Sequence, residues 1–138
     1  MPDLFKKSAY IFDSFSLLRL FQKEPGYEKI IKLLKHIETH RLFKYLNAIN
    51  MGEIIYISKR EFGNQYKLEI LAQIERLEFI ILPVTNELIF QAAELKADYS
   101  ISYADCFLLA SAIQNQAIIV TGDPEFKKVE SLAEIIWV

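Results

Sequence analysis

The chain has 138 residues, the size of one domain, and 52% of them are hydrophobic, enough for a sizeable core and too many for a disordered chain. Its net charge of -2 supplies no global basic field of the kind that announces a nucleic-acid binder, although a local basic patch suffices for that task. The single cysteine, Cys106, excludes an internal disulfide framework and fits a reducing compartment. The opening run MPDLFKKSAY lacks a signal peptide's apolar core, and no apolar run reaches the roughly 18 residues of a membrane span. The expectation is a cytoplasmic, single-domain protein over residues 1–138 with no membrane partner.

In chain order, AYIF (9–12) predicts a buried strand and DSFSLLRLFQKE a helix capped by Asp13 or Ser14. Pro25 and Gly26 break that helix, and Pro25 suits the first turn of the next, YEKIIKLLKHIETH, which carries Ile30, Ile31, Leu33, Leu34 and Ile37 on one face. RLFKYLNAI holds a second strand. NMGEIIYISKREFG predicts a helix closed by Gly63, and QYKLEILAQIERL another. FIILPV (79–84) predicts a third strand stopped by Pro83, and TNELIFQAAELKADY a helix capped by Thr85. SYADCFLLASA (102–112) predicts a further helix, AIIVTG (117–122) a fourth strand, DPEFKKVES a turn or short helical piece, and EIIWV (134–138) a terminal strand.

Continuously apolar strands alternating with helices predict a parallel sheet covered on both faces. The expected fold is a three-layer α/β/α sandwich around a central, mainly parallel sheet of four to five strands. The handedness of such crossovers puts every strand-to-helix junction on one sheet edge, where folds of this kind bind ligands.

Four acids fall at those junctions. Asp13 directly follows YIF, Glu53 lies early in the helix after the second strand, Asp105 lies in the first turn of its helix, and Asp123 directly follows IIVTG. Asp105 stands where the helical stripe calls for an apolar side chain. Each acid has a structural explanation: Ser102–Asp105 has capping-box spacing, Asn50–Glu53 repeats it with an Asn cap, Asp13 is a plausible N-cap, and Asp123–Pro124 pairs a cap with Pro at the first helical position. Four carboxylates converging on one edge, however, would repel and raise each other's pKa values. A bound cation removes that conflict. No His or Cys accompanies them, so the ligands are all oxygen, which points to Mg²⁺ or Mn²⁺ rather than zinc. Such a site suits phosphoryl chemistry, nuclease and phosphatase alike.

The same residues resemble a known family. YIFDSFSLLRLFQKEPG is similar to the opening strand, Asp-Ser pair and following helix of PIN-domain nucleases; AINMGEIIY, SYADCFLLASA and IIVTGDPEF resemble their second, third and fourth acidic motifs, with FIILPVT in the expected place between. The ordered set covers about residues 9–138, and the most similar subgroup is the VapC-like toxins of prokaryotic toxin–antitoxin pairs. The resemblance implies a Mg²⁺- or Mn²⁺-dependent endoribonuclease in which Asp13, Glu53, Asp105 and Asp123 hold the metal and Ser14 and Thr121 orient an acid or a water. It also implies a homodimer and a small antitoxin partner. Gly52 departs from the pattern and allows the helix to start there.

Other signals carry less. His36 and His40 have a zinc-compatible spacing, but Ile37 stands where a zinc-protease helix needs Glu, so HIETH reads as a solvated helix end. Cys106 has no His motif to make it a nucleophile. Of the basic pairs, Lys6–Lys7, Lys59–Arg60 and Lys127–Lys128, the second lies two turns beyond Glu53 and is the best candidate for RNA contacts. Tyr10, Phe12 and Phe15 read as packing rather than a stacking platform. Two rival readings stand beside the nuclease: a non-catalytic PIN-like module that binds RNA or a protein, and an acid-site phosphatase on another α/β sheet.

Overall fold

A computed structural model describes residues 8–138. Lys6 and Lys7, and most of the N-terminal run judged for a signal peptide, lie outside the described residues. The elements are β1 (Ala9–Phe12), α1 (Ser14–Gln22), α2 (Tyr27–Thr39), β2 (Phe43–Asn47), α3 (Ala48–Phe62), α4 (Asn64–Arg76), β3 (Ile80–Leu82), α5 (Asn86–Asp98), α6 (Tyr103–Asn115), β4 (Ile118–Thr121), a 3-10 helix (Pro124–Val129) and β5 (Ile135–Trp137).

The five strands form one sheet in the order β3-β2-β1-β4-β5. Every neighbouring pair is parallel, with Ile11 opposite Tyr45 on one side and Ile119 on the other. The strand period of two explains the continuous apolar runs. Ala9 and Ile11 face one core cluster with Leu108, Leu109 and Ile119, while Tyr10 and Phe12 face the other with Leu17, Ile54, Ile70 and Val120. Helices α5 and α6 supply the first cluster; α1, α2, α3 and α4 supply most of the second. This is the predicted three-layer α/β/α sandwich with a fully parallel sheet.

The chain runs β1 to β2 to β3 outward in one direction, then returns to place β4 on the other flank of β1. Strand order therefore reverses between β1 and β4. In open parallel sheets the crevice outside the carboxyl ends at such a reversal is the natural ligand position.

Three local expectations change. Strand β2 runs to Asn47, and α3 starts at once at Ala48, not at Gly52. The cap of α3 is Asn47, whose side chain accepts from the Ile49 N–H at 2.8 Å, so Asn50 sits inside the first turn rather than before it. Pro25 stays outside α2, whose cap is Gly26 at φ 100°. Glycine alone takes that left-handed conformation without steric cost, which is why the break needs it. Among the described residues, no helix is long and apolar enough to cross a membrane.

Candidate metal centre

Capping geometry brings each acid to the same edge. Asp13 leaves β1 and caps α1, its Oδ1 accepting from the Ser16 N–H at 2.7 Å. Its Oδ2 accepts from the Thr121 hydroxyl at the end of β4. Thr121 Oγ1 in turn accepts from the Asp123 N–H at 3.0 Å, so one buried hydroxyl ties the acids of β1 and β4 together. Asp123 caps the 3-10 helix through Oδ1 and the Glu125 N–H at 3.0 Å, with Pro124 at the first helical position. Ser102 caps α6 by accepting from the Asp105 N–H at 3.2 Å, which points the first turn of that helix at the sheet edge. Glu53, one turn into α3, receives Asn50 Nδ2 at 2.9 Å and Ser14 Oγ at 3.2 Å, both on Oε1.

The capping readings hold for Asp13, Asp123 and the Ser102–Asp105 pair, and fail for Asn50–Glu53, because Asn47 caps α3. Caps set the first turns at the carboxyl ends of the strands; among the described residues, Asp13 and Glu53 lie outside the group of acids whose carboxylate oxygens all come within 4.8 Å of one another. Asp13 is 3% exposed and Asp105 8%, while Glu53 and Asp123 are half-buried. Burial raises Asp13 from an ordinary 3.8 to about 6, although its bonds to Thr121 and Ser16 pull the other way. Burial raises Asp105 to about 7, and Asp123, Asp13 and Glu53 add to the shift by repulsion. Every charged group that perturbs Asp105 is another acid. The other three predicted acids therefore all act on Asp105, and Asp123 acts on Asp13 as well.

The structure adds a fifth. Glu125 joins Asp105 and Asp123, with one carboxylate oxygen from each lying within 4.8 Å of the others. The sequence reading passed over Glu125 because an acid two residues after an N-cap is ordinary first-turn chemistry. The available signal was the D-x-E pair itself, which the short 3-10 turn folds onto one side.

This donor set fits a hard divalent cation. It offers only oxygen, and its member Asp105, like Asp13 nearby, carries a carboxyl that resists ionising without a compensating positive charge. A buried oxygen, Asn50 Oδ1, also lies without a hydrogen-bond partner on the residue that holds Glu53. Ser14 donates to Glu53 and Thr121 to Asp13.

The remaining candidates lie elsewhere. Lys59 and Arg60 are exposed near the end of α3, with Arg60 over the Tyr56 ring at 5.3 Å. Lys128 is exposed and binds the Ser100 carbonyl at 2.8 Å. His36 and His40 stack 4.3 Å apart at the exposed end of α2, and neither belongs to the acid group. Cys106 is buried, and burial pushes its thiol up, which keeps it from serving as a thiolate.

With the fold and the acid group in place, comparison defines the class. The sequence profile of the PIN domain matches residues 10–132, so the chain belongs to the PIN-domain family. Several toxin–antitoxin structures share the fold. VapBC2 from Rickettsia felis, bound to a DNA fragment from its promoter, superposes with a TM-score of 0.75 at 17% identity, covering 94% of this chain and 98% of that one. DNA-bound VapBC from Salmonella typhimurium gives 0.72 at 12% identity, covering 94% and 97%. VapC20 from Mycobacterium tuberculosis, a toxin that cleaves the sarcin–ricin loop, gives 0.70 at 14% identity, covering 88% and 95%. A sequence comparison with curated proteins finds no match.

Proposed function

We propose that the protein is a Mg²⁺- or Mn²⁺-dependent endoribonuclease, a single PIN domain acting in the cytoplasm as the toxin of a toxin–antitoxin pair. The observation that carries this reading is the acid group at the β1/β4 reversal, where Asp105 is surrounded by other acids and none of its charged perturbers is basic. Asp13, Glu53, Asp105 and Asp123, with Glu125 beside them, would hold the ion. When bound, such an ion activates water and balances the charge that develops at a phosphorus undergoing in-line displacement. The chain's own contribution is orientation. Thr121 and Ser16 fix both oxygens of Asp13, Ser14 steadies Glu53, and the first turn of α6 presents Asp105. Lys59 and Arg60 offer positive charge for the phosphates that flank the cut.

The antitoxin is supported by the neighbours, several of which were solved as toxin–antitoxin complexes. We also propose a homodimer, on the resemblance to VapC-like toxins. The non-catalytic alternative is disfavoured because a binding module has no need of buried acids held against their own repulsion.

The test is cleavage of RNA, including a ribosomal RNA hairpin, by protein freed of any antitoxin, with and without Mg²⁺ or Mn²⁺. Cleavage that requires the ion and is lost in Asp13→Asn and Asp105→Asn is the expected result. Full cleavage by both variants rejects the site. Hydrolysis of small phosphoesters with RNA left intact favours the phosphatase.

A further inference from the structure

Asn50 was expected to cap α3, and the structure frees it from that duty, because Asn47 is the cap. Asn50 is nevertheless 1% exposed, a polar side chain held in the first turn beside the acid group. Its Nδ2 donates to Glu53 Oε1 at 2.9 Å. The amide can only be oriented this way, since turning it would set its oxygen against the carboxylate. Ser14 Oγ donates to that same Oε1 at 3.2 Å from the start of α1.

Two donors from two elements thus converge on one oxygen of Glu53. A half-buried glutamate side chain has three rotatable bonds and would otherwise sample several rotamers. Fixing one oxygen by two hydrogen bonds leaves the other as the oxygen directed by the protein toward a ligand. The Asn50 Oδ1 is buried and without a partner. An unpaired buried acceptor is costly to maintain, and a single apolar residue would avoid that cost. An amide at this place does what an apolar residue cannot: it donates to the Glu53 carboxylate without adding another negative charge.

We infer that Asn50 is a positioning residue of the metal centre: with Ser14 it pins Oε1 of Glu53 and so sets which carboxylate oxygen faces the cation. The inference rests on the metal-centre reading for its purpose, but not for the hydrogen bond itself. Hydrogen-bond partners of metal-ligating groups typically carry about 10–100-fold in metal affinity. Asn50→Leu, which keeps the shape and removes the donor, should weaken Mn²⁺ binding by that factor. In a Glu53→Gln background the same change should cost nothing more, because Asn50 acts through Glu53.

Mn²⁺ affinity is measured by calorimetry on the intact chain in all four combinations. An unchanged affinity in Asn50→Leu, or an equal loss in both backgrounds, overturns the inference. A second readout needs neither a variant at Asn50 nor a metal. In the metal-free protein the Asn50 side-chain amide proton held on the carboxylate should be shifted downfield, spreading the amide pair wider than in a free asparagine, and Glu53→Ala should return the spacing to the free value. If the spacing in the unaltered chain is no wider than in a free asparagine, the inference fails. If the spacing narrows to the free value in Glu53→Ala but the unaltered chain binds no Mn²⁺, the metal-centre reading falls while the placement of Glu53 by Asn50 stands.

Discussion

At the scale of single residues, the acids define a conflict that pH exposes. Asp13 rises from 3.8 to about 6 and Asp105 to about 7, so the folded chain binds more protons than the unfolded one between about pH 4 and 7. Stability falls with pH wherever the folded state binds more protons. The contribution is fully present below about 3.8 and is lost as pH rises through the folded values. Metal-free protein should therefore lose stability from pH 4 to 8, seen as a falling urea midpoint. Removing one of the charges should relieve the strain: Asp105→Asn is expected to stabilise metal-free protein at pH 8 by on the order of 1–3 kcal/mol while abolishing cleavage. Lower stability in that variant would mean the carboxylate is already compensated. Thr121 behaves oppositely. Its buried hydroxyl serves Asp13 and the Asp123 N–H together, so Thr121→Val should cost about 1–3 kcal/mol by leaving Asp13 Oδ2 and the Asp123 N–H without this partner. Thr121→Ser should recover most of that in the same denaturation experiment.

At the scale of elements, the acids are delivered by turns whose packing allows little variation. Gly122 links Asp123 to β4, and a Cβ there would stand 2.7 Å from Phe15 Cε1 and 2.7 Å from the Val138 carbonyl oxygen. Arg19 closes the same spot, donating to that carbonyl at 2.6 Å. Gly122→Ala should overpack this contact and cost roughly 1–3 kcal/mol, with a matching loss of melting temperature. Gly52 lies inside α3 with open space around it, so its replacement by Ala should be neutral or mildly stabilising. These elements were largely readable in advance. Strands buried on both faces announce themselves as unbroken apolar runs, and Asp13, Asp105 and Asp123 sit at their ends or on capped first turns. What resisted reading was local. Asn47 and Asn50 are both good caps three residues apart, and only the reach of β2 to Asn47, paired with Leu82, decides between them. Glu125 escaped because its role depends on how a six-residue 3-10 helix folds back toward α6, a tertiary fact with no periodic signature.

At the scale of the molecule, the reversal of strand order makes the centre a property of the whole sheet. A divalent cation that binds the folded acids and not the unfolded chain stabilises by mass action. Mg²⁺ or Mn²⁺ should raise the melting temperature, and raise it more at pH 8 than at pH 5, where protons already occupy Asp105. An equal rise at both values would place the ion elsewhere. The Asp13–Thr121 hydrogen bond spans 108 residues of sequence. A chain made N-terminus first at roughly 5–20 residues per second therefore exposes Asp13 to solvent for on the order of 5–20 s before its partner exists. During that interval β1 has no β4 beside it, and Asp123 and Glu125 have yet to be joined to the chain. A nascent molecule thus carries its first acid as an ordinary solvated aspartate, and the acid group comes into being only late in synthesis.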